Sequence, residues 1–446
     1  MDRTTATFTR GSINRHVAVM VGTSAISLLA VFLTDVLTLT YISMLRDEAL
    51  MAAIGIAKML QFFNGIIVAG IVIGAGTLIS RRAGQGRQLS ALTTHALVLA
   101  TGVAAAVSAV EWLNLDFITR LIGAGETSPR YTEPFIAMAL LSSVLLAITQ
   151  GCAQALRATG HGRRALVVVL SAAAVLVVID PILIFGLDLE LLGAGLASVL
   201  ATFVSCILAL HQVHRHIGLS RRIRLRMLKR YGAGIARIAL PSTLGHLAIP
   251  FGITYAMGQL STFGVSVMAG MALMDRVAQI TYCLFFALPG ALVPIFAQNL
   301  GALRRERTQT AIRSAARLVI CYGLLAWVAL AFAAPLLSDA FGLSGPGREL
   351  LLNLCRFGPV LWLVMGLDFI AASIFITLGQ AWWMTLYSWL RASVGTVPFV
   401  MIGAEYFGAS GVVLGMWLGY ALVALVSICT AIALARRHAL FQVSTF

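Results

Sequence analysis

Apolar residues run in long unbroken stretches from one end of the chain to the other, and the polar positions gather in short clusters between them. The stretches fall at 18–44, 51–80, 90–113, 134–158, 165–186, 192–212, 238–262, 266–299, 314–337, 350–379, 381–403 and 410–435. About 18 or more residues at ~1.5 Å each cross roughly 30 Å of hydrocarbon, so the pattern predicts twelve membrane-spanning helices. The runs are solidly apolar rather than alternating, which excludes a transmembrane barrel. The first run is too long for a signal-peptide core and is read as an uncleaved first span.

Composition agrees: 446 residues, 59% hydrophobic and 11% charged, with a mean hydropathy of +0.93, cannot supply the polar surface of a soluble domain. The net charge of +15 would suggest nucleic acid in a soluble protein. Here the arginines sit in short loops: Arg10 and Arg15, Arg81, Arg82 and Arg87, Arg157, Arg163 and Arg164, Arg304, Arg305 and Arg307, Arg436 and Arg437. The opposite loops carry Asp47, Glu48, Asp116, Glu126, Glu133, Asp188, Glu190 and Glu405. That asymmetry is an orientation signal, not a nucleic-acid footprint; it places both termini in the cytoplasm. Six cysteines, each alone in an apolar run, read as small core residues.

The chain repeats itself. MAAIG at 51–55 matches MAGMA at 268–272 and Gly84 matches Gly301, both at an offset of 217; Gly160 matches Gly379 at 219 and Gly193 matches Gly411 at 218. Six spans per half put both halves in the same orientation, so the repeat is parallel, as in secondary transporters. The expected organisation is an N-terminal lobe at 1–214, a basic cytoplasmic linker at 215–237 and a C-terminal lobe at 238–446. The fold class is all-α polytopic, twelve helices in two six-helix lobes.

Two carboxylates lie in the middle of these runs, Asp35 and Asp180. A charge at that depth is expensive and is kept for a partner, a proton or a task. Counting the rise from the span ends places Asp35 about 25 Å and Asp180 about 22 Å along outward-running helices. Ser198 and Lys58 lie about 9 and 10 Å below the outer face, so the four share a layer of one lobe. Close carboxylates raise one another's pKa, which a proton carrier needs. Thr34 and Thr38 flank Asp35 and are positioned to donate to it, and Pro181 should loosen the span after Asp180. The competing reading is a permanent ion pair of Lys58 with Asp35 or Asp180. Gln61, Asn64, Gln154, His246, Met257 and Gln279 are candidates for a substrate cavity. Asp275 and Arg276 are adjacent and point to different sides of their helix, and Asp368 sits near the inner face, outside the Asp35 layer.

With these features in view the chain resembles the multidrug and toxic compound extrusion (MATE) family. The resemblance is carried by FTRGSINRH at 8–16, FLTDVLTLTYIS around Asp35, ALMAAIGIA at 49–57, ALRATGHGRRAL at 155–166, IDPILIFG at 179–186, GAGLAS at 193–198, IALPSTL at 238–244 and PIFAQNLGALRRER at 294–307. It implies an antiporter that exports drug-like or organic-cation cargo against inward H⁺ or Na⁺ flow, alternating access between two lobes. It implies no cofactor beyond that ion and a functional monomer. Asp35 matches the family's first-span acid and Asp180 the fifth-span acid of its DinF-like branch, whose ion site lies in the N-terminal lobe. Span seven has no acid, unlike the other branches. Three positions depart from the pattern: Leu176 stands for an Asn, Ser198 for a Thr and Gly22 for a Pro. Losing the Asn removes a hard oxygen, which favours H⁺ over Na⁺ at Asp35, Asp180 and Ser198.

Other readings are weaker. A flippase of the same superfamily for lipid-linked oligosaccharides needs deep cations for pyrophosphate, and only Lys58, Arg276 and Arg391 qualify. Gly408-Ala409-Ser410-Gly411 has the form of an intramembrane protease motif but reads as a helix-start loop. The chain is read as no enzyme. A non-transporting scaffold is the remote alternative.

Overall fold

The computed structural model describes residues 6–44, 48–121 and 129–438; Asp47 and Glu126 lie outside the described residues. The order of elements is α1 (Ile13–Ser43), α2 (Glu48–Gly84), α3 (Ser90–Leu113), α4 (Leu115–Leu121), α5 (Pro129–Ala158), α6 (Gly162–Pro181), a π-helical turn (Ile182–Gly186), α7 (Glu190–His216), α8 (Leu225–Ser261), α9 (Val265–Thr281), α10 (Cys283–Gly301), α11 (Arg305–Ala340), α12 (Gly345–Thr377), α13 (Trp382–Ala392) and α14 (Val397–Arg437). No strand occurs among the described residues. Among the described residues ten helical stretches are long and apolar enough to cross a membrane. One of them, Trp382–Arg437, folds back on itself at Gly408 and counts as two. With α8, which Pro241, Ser242, His246 and Gln259 make less apolar, the total is the twelve expected from the pattern.

The chain forms two units. One holds Ile26–Leu240 with the residues that end at Thr7; the other holds Phe8–Ala25 and Pro241 onward. The boundaries fall inside α1 and α8. The linker expected at 215–237 is largely helix, because the basic segment from Leu225 continues into α8 without a breaker. In unit 1, α5 is the hub, packed by α2, α3, α6 and α7; in unit 2, α12 is the hub, packed by α9, α10, α11 and α14. These are the fourth and tenth spans, equivalent positions of the parallel repeat.

Helix ends repeat as well. α5 closes with His161 N–H to Leu156 O and Gly160 N–H to Arg157 O; α12 closes with Gln380 N–H to Phe375 O and Gly379 N–H to Ile376 O, at the same offset of 219 as the sequence match. Gly160 (φ 87°) and Gly379 (φ 75°) take the left-handed conformation that such a cap requires. The caps of α2 and α10 correspond in the same way, with Arg87 N–H to Arg82 O and Arg304 N–H to Asn299 O.

The segment ahead of each half is strapped down. In unit 2, Gln298 Oε1 accepts Phe8 N–H at 3.0 Å, Arg304 Nη1 donates to Thr9 O at 2.8 Å, and Arg307 Nη2 donates to the carbonyls of Phe8, Arg10 and Gly11 at 3.1, 3.2 and 2.9 Å. In unit 1, Thr94 Oγ1 accepts Ser220 N–H at 2.8 Å, His95 Nε2 accepts Arg224 N–H at 3.1 Å, and the Arg82 guanidinium lies 4.9 Å from the Tyr231 ring. Charge-assisted hydrogen bonds contribute about 1.5–3 kcal/mol each before solvent screening. Arg307→Ala should therefore destabilise the protein by about 1–2 kcal/mol, read as a lower thermal midpoint in detergent. An unchanged midpoint would show that the strap carries no stability.

The last two spans meet backbone to backbone. α14 kinks at Gly408 (φ 59°, ψ −144°) and its two arms run antiparallel. Gly403 faces Gly411, Phe399 faces Gly415 and Gly395 faces Gly419, each glycine with its Cα against a carbonyl oxygen of the facing residue. Small residues of this kind let membrane helices approach closely. Gly193 plays the same part in unit 1, against the Leu183 carbonyl. Gly408–Gly411 is thus the corner of a helical hairpin. Two of the six cysteines, Cys321 and Cys429, are exposed rather than core residues; each lies on the outward face of a long apolar helix.

Candidate functional site

The site is built in unit 1 from α1, α2 and the end of α6. Lys58 Nζ on α2 donates to Asp35 Oδ1 on α1 at 2.6 Å, with both side chains 46% exposed. One turn further along α1, Thr38 Oγ1 donates to Asp180 Oδ2 at 2.6 Å. Asp180 is 1% exposed, and its Oδ1 is buried without a partner among the described residues. Lys58 acts on Asp180 only through its field, since no ion pair joins the two among the described residues.

Local sequence explains this arrangement. Asp35 and Thr38 are three residues apart and share a helix face. Asp180 is held at a helix end: Pro181 lacks an N–H and closes α6, and the next residues widen into a π turn with Leu187 N–H bonded to Ile182 O at 3.0 Å. π turns occur often at functional sites because they re-aim one side chain within an otherwise regular helix.

Two expectations are corrected. Thr34 does not donate to Asp35: its hydroxyl turns back to the carbonyls of Ala30 and Val31 at 3.0 and 2.9 Å, the usual option for a buried threonine in a helix. Thr38 donates to Asp180 rather than to its neighbour Asp35, because the side chain points across to α6. The Ser198 hydroxyl makes no hydrogen bond among the described residues; only its carbonyl is used, by Thr202.

The cavity candidates separate by unit. In unit 1, Gln61 Nε2 donates to Ala139 O at 3.1 Å, Asn64 Nδ2 donates to Ala104 O and Ser108 Oγ at 3.2 and 2.8 Å, and Gln154 packs on Gly76 with Arg157 at 3.5 Å. In unit 2, His246 Nδ1 lies 2.6 Å from Ser242 O within its own helix, and Met257 packs on the core. Gln279 links Asp275 and Arg276, at 3.0 and 3.2 Å, so these neighbours are tied through one side chain despite their different directions.

The sequence reading left Asp368 without a partner. It is 3% exposed and pairs with Arg391 at 2.5 Å, beside the break at Ser393–Thr396 between α13 and α14. Their separation of 23 positions hid the pair; the signal was one acid and one base in the facing spans ten and eleven. Every deep cation once considered for pyrophosphate, Lys58, Arg276 and Arg391, is therefore already engaged by protein groups.

Thr38→Val should remove the hydrogen bond that Asp180 Oδ2 receives and destabilise the protein by about 1–3 kcal/mol. Thr38→Ser should restore most of it. Denaturation of the three proteins side by side checks this.

Comparison with known proteins agrees with the architecture. The MatE family profile matches residues 23–182 and 241–420. A FAD transporter of Shewanella oneidensis is 26% identical, over 84% of this chain and 85% of its own. The multidrug export protein MepA of Staphylococcus aureus is 22% identical over 87% of each chain. The crystal structure of a Vibrio cholerae MATE transporter, VcmN, superposes with a TM-score of 0.91 at 21% identity, covering 96% of this chain and 98% of that one. Because the profile spans both halves of a chain with twelve spans in a parallel repeat, the chain belongs to the MatE family and is a multi-pass membrane transporter.

Proposed function

We propose that this protein is a secondary active exporter of the bacterial plasma membrane, with both termini cytoplasmic, in which inward H⁺ flow drives out amphipathic drug-like cargo. The observation that carries the proposal is the Asp35–Lys58 pair beside a second, buried carboxylate, Asp180, which Thr38 holds one turn along α1 and whose Oδ1 has no partner among the described residues. A proton on Asp35 cancels the charge that holds Lys58, and the freed ammonium then moves to the carboxylate that remains, Asp180. Protonation is thereby converted into a movement of α2 relative to α1 and α6. The permanent ion pair weighed at the outset becomes one state of this exchange. Lys58 occupies the position next to Asp35 where a coupling Na⁺ would need oxygens, which favours H⁺.

The carboxylates favour cationic cargo over the pyrophosphate of a lipid-linked sugar, and the MepA relative, a multidrug export protein by name, makes drug-like cargo the first to test. The FAD transporter among the relatives makes a dinucleotide the second cargo worth testing. The test is efflux from proteoliposomes with ethidium or FAD inside and an imposed pH or Na⁺ gradient. The proposal expects ethidium efflux with a pH gradient and none with Na⁺ alone. Efflux that follows Na⁺ at equal pH on both sides would overturn the H⁺ assignment; no gradient-dependent flux of either cargo would overturn export itself.

A further inference from the structure

Glu111 is a carboxylate that the pair at Asp35 and Asp180 leaves out. It lies in the last turn of α3, inside a membrane-spanning stretch, and is 8% exposed. Its side chain interacts with Asn64 on α2, and its Oε2 is buried with no partner among the described residues. Asn64, 1% exposed, is fixed by Ala104 O and Ser108 Oγ, and Ser108 in turn donates to Leu140 O at 3.4 Å. Asn64 Oδ1 is buried and unpartnered as well. Glu111 therefore sits in a polar pocket of α2, α3 and α5 whose oxygens outnumber its donors.

Among the described side chains no cation answers it; that of Arg130, at the start of α5, lies outside them. α3 packs against α2, α4 and α5. On those elements Lys58 pairs with Asp35, Arg82 with Tyr231, Arg157 with Gln154, and Arg120 Nε with the Asp116 carbonyl. Arg81, Glu133 and the Asp116 carboxylate make no hydrogen bond or ion pair with Glu111 among the described residues. A buried carboxylate without a counter-charge costs far more than its neutral acid. Glu111, Asn64 and Ser108 supply fewer oxygens than the roughly six that a hard metal ion takes.

We infer that Glu111 is a separate proton-binding site of unit 1, taking H⁺ on its unpartnered carboxylate oxygen. The step is a simple protonation: Oε2 gains H⁺, the negative charge is cancelled, and no other bond changes. Glu111 is two residues from the end of α3, so a proton arriving from that end passes only the last turn of the helix. The role of this proton in transport rests on the proton-driven reading above; its binding does not.

Infrared difference spectra of the purified full-length protein test the binding directly. At neutral pH, where exposed carboxylates are ionised, the wild type should show a protonated-carboxyl band that shifts in D₂O and vanishes in alkaline buffer. The band should persist in the Asp35→Asn, Asp180→Asn double variant, vanish in Glu111→Gln and return, displaced, in Glu111→Asp. Survival of the band in Glu111→Gln, its absence from the double variant, or its removal by Na⁺ but not K⁺ at constant pH would overturn the inference. A failure of gradient-driven efflux with the band intact would instead overturn the transport reading alone.

Discussion

Asp180→Asn should leave a folded protein whose proton-driven efflux is more than about tenfold slower, a loss of at least ~1.4 kcal/mol in the rate-limiting step. The amide keeps the shape of the side chain and can still accept from Thr38 Oγ1, which holds Asp180 at 2.6 Å. What it loses is the charge that competes with Asp35 for Lys58. Asp35→Asn should have an effect of the same size for the complementary reason: Lys58 is released permanently to Asp180. Both variants should still bind cargo, because binding precedes exchange of the ammonium. Initial rates of efflux under an imposed pH gradient, normalised to reconstituted protein, check both. Wild-type rates in either variant would reduce the Asp35–Lys58 pair to a structural bridge.

Gly411→Leu should prevent assembly of the last hairpin. A Cβ at this position falls inside the van der Waals shell of the Gly403 carbonyl, with the Phe407 side chain on its other flank. Backbone on both arms leaves nothing flexible to give way, since the same register places Gly415 on Phe399 and Gly419 on Gly395. The arms must separate by the width of a side chain, which strips the α12–α14 packing at the hub of unit 2. Even Gly411→Ala should cost on the order of 1–3 kcal/mol as overpacking, and the leucine variant should be lost to aggregation or degradation. Gly290→Ala, where an added Cβ meets nothing within 4 Å, is the control that should express normally. The comparison is made by fluorescence-detected gel filtration of detergent extracts; a monodisperse Gly411→Leu peak at wild-type yield would show that the close approach is dispensable.

The spans were legible because hydrocarbon thickness fixes their length and the chain obeys it throughout. Their ends were less so. α8 begins at Leu225 and α11 at Arg305, well ahead of their apolar runs, because charged cytoplasmic turns extend a helix without raising its hydropathy. The break at Tyr282 left no mark, since it lies within apolar sequence; the break at Ser393–Thr396 holds Gly395 and is followed by Pro398, which the span read at 381–403 passes over. At the site, rise per residue was enough to place Asp35, Lys58 and Asp180 in one layer. Azimuth was not available, so the assignment of Thr34 and Thr38 to Asp35 went astray by a fraction of a turn. Glu111 was missed for a related reason. It falls at the end of its span, where an acid reads as a loop residue, and only packing shows it turned inward against Asn64.

The central claim is that Asp35 and Asp180 exchange a proton with the surroundings as cargo binds and leaves. Proton release on adding cargo to detergent-solubilised protein in weakly buffered solution, followed with a pH-sensitive dye, tests it without a membrane or a gradient. The account predicts release from the wild type, about one proton per protein, and its loss in the Asp35→Asn, Asp180→Asn double variant at unchanged cargo binding. Equal release from both proteins, or none from a wild type that binds cargo, would contradict it.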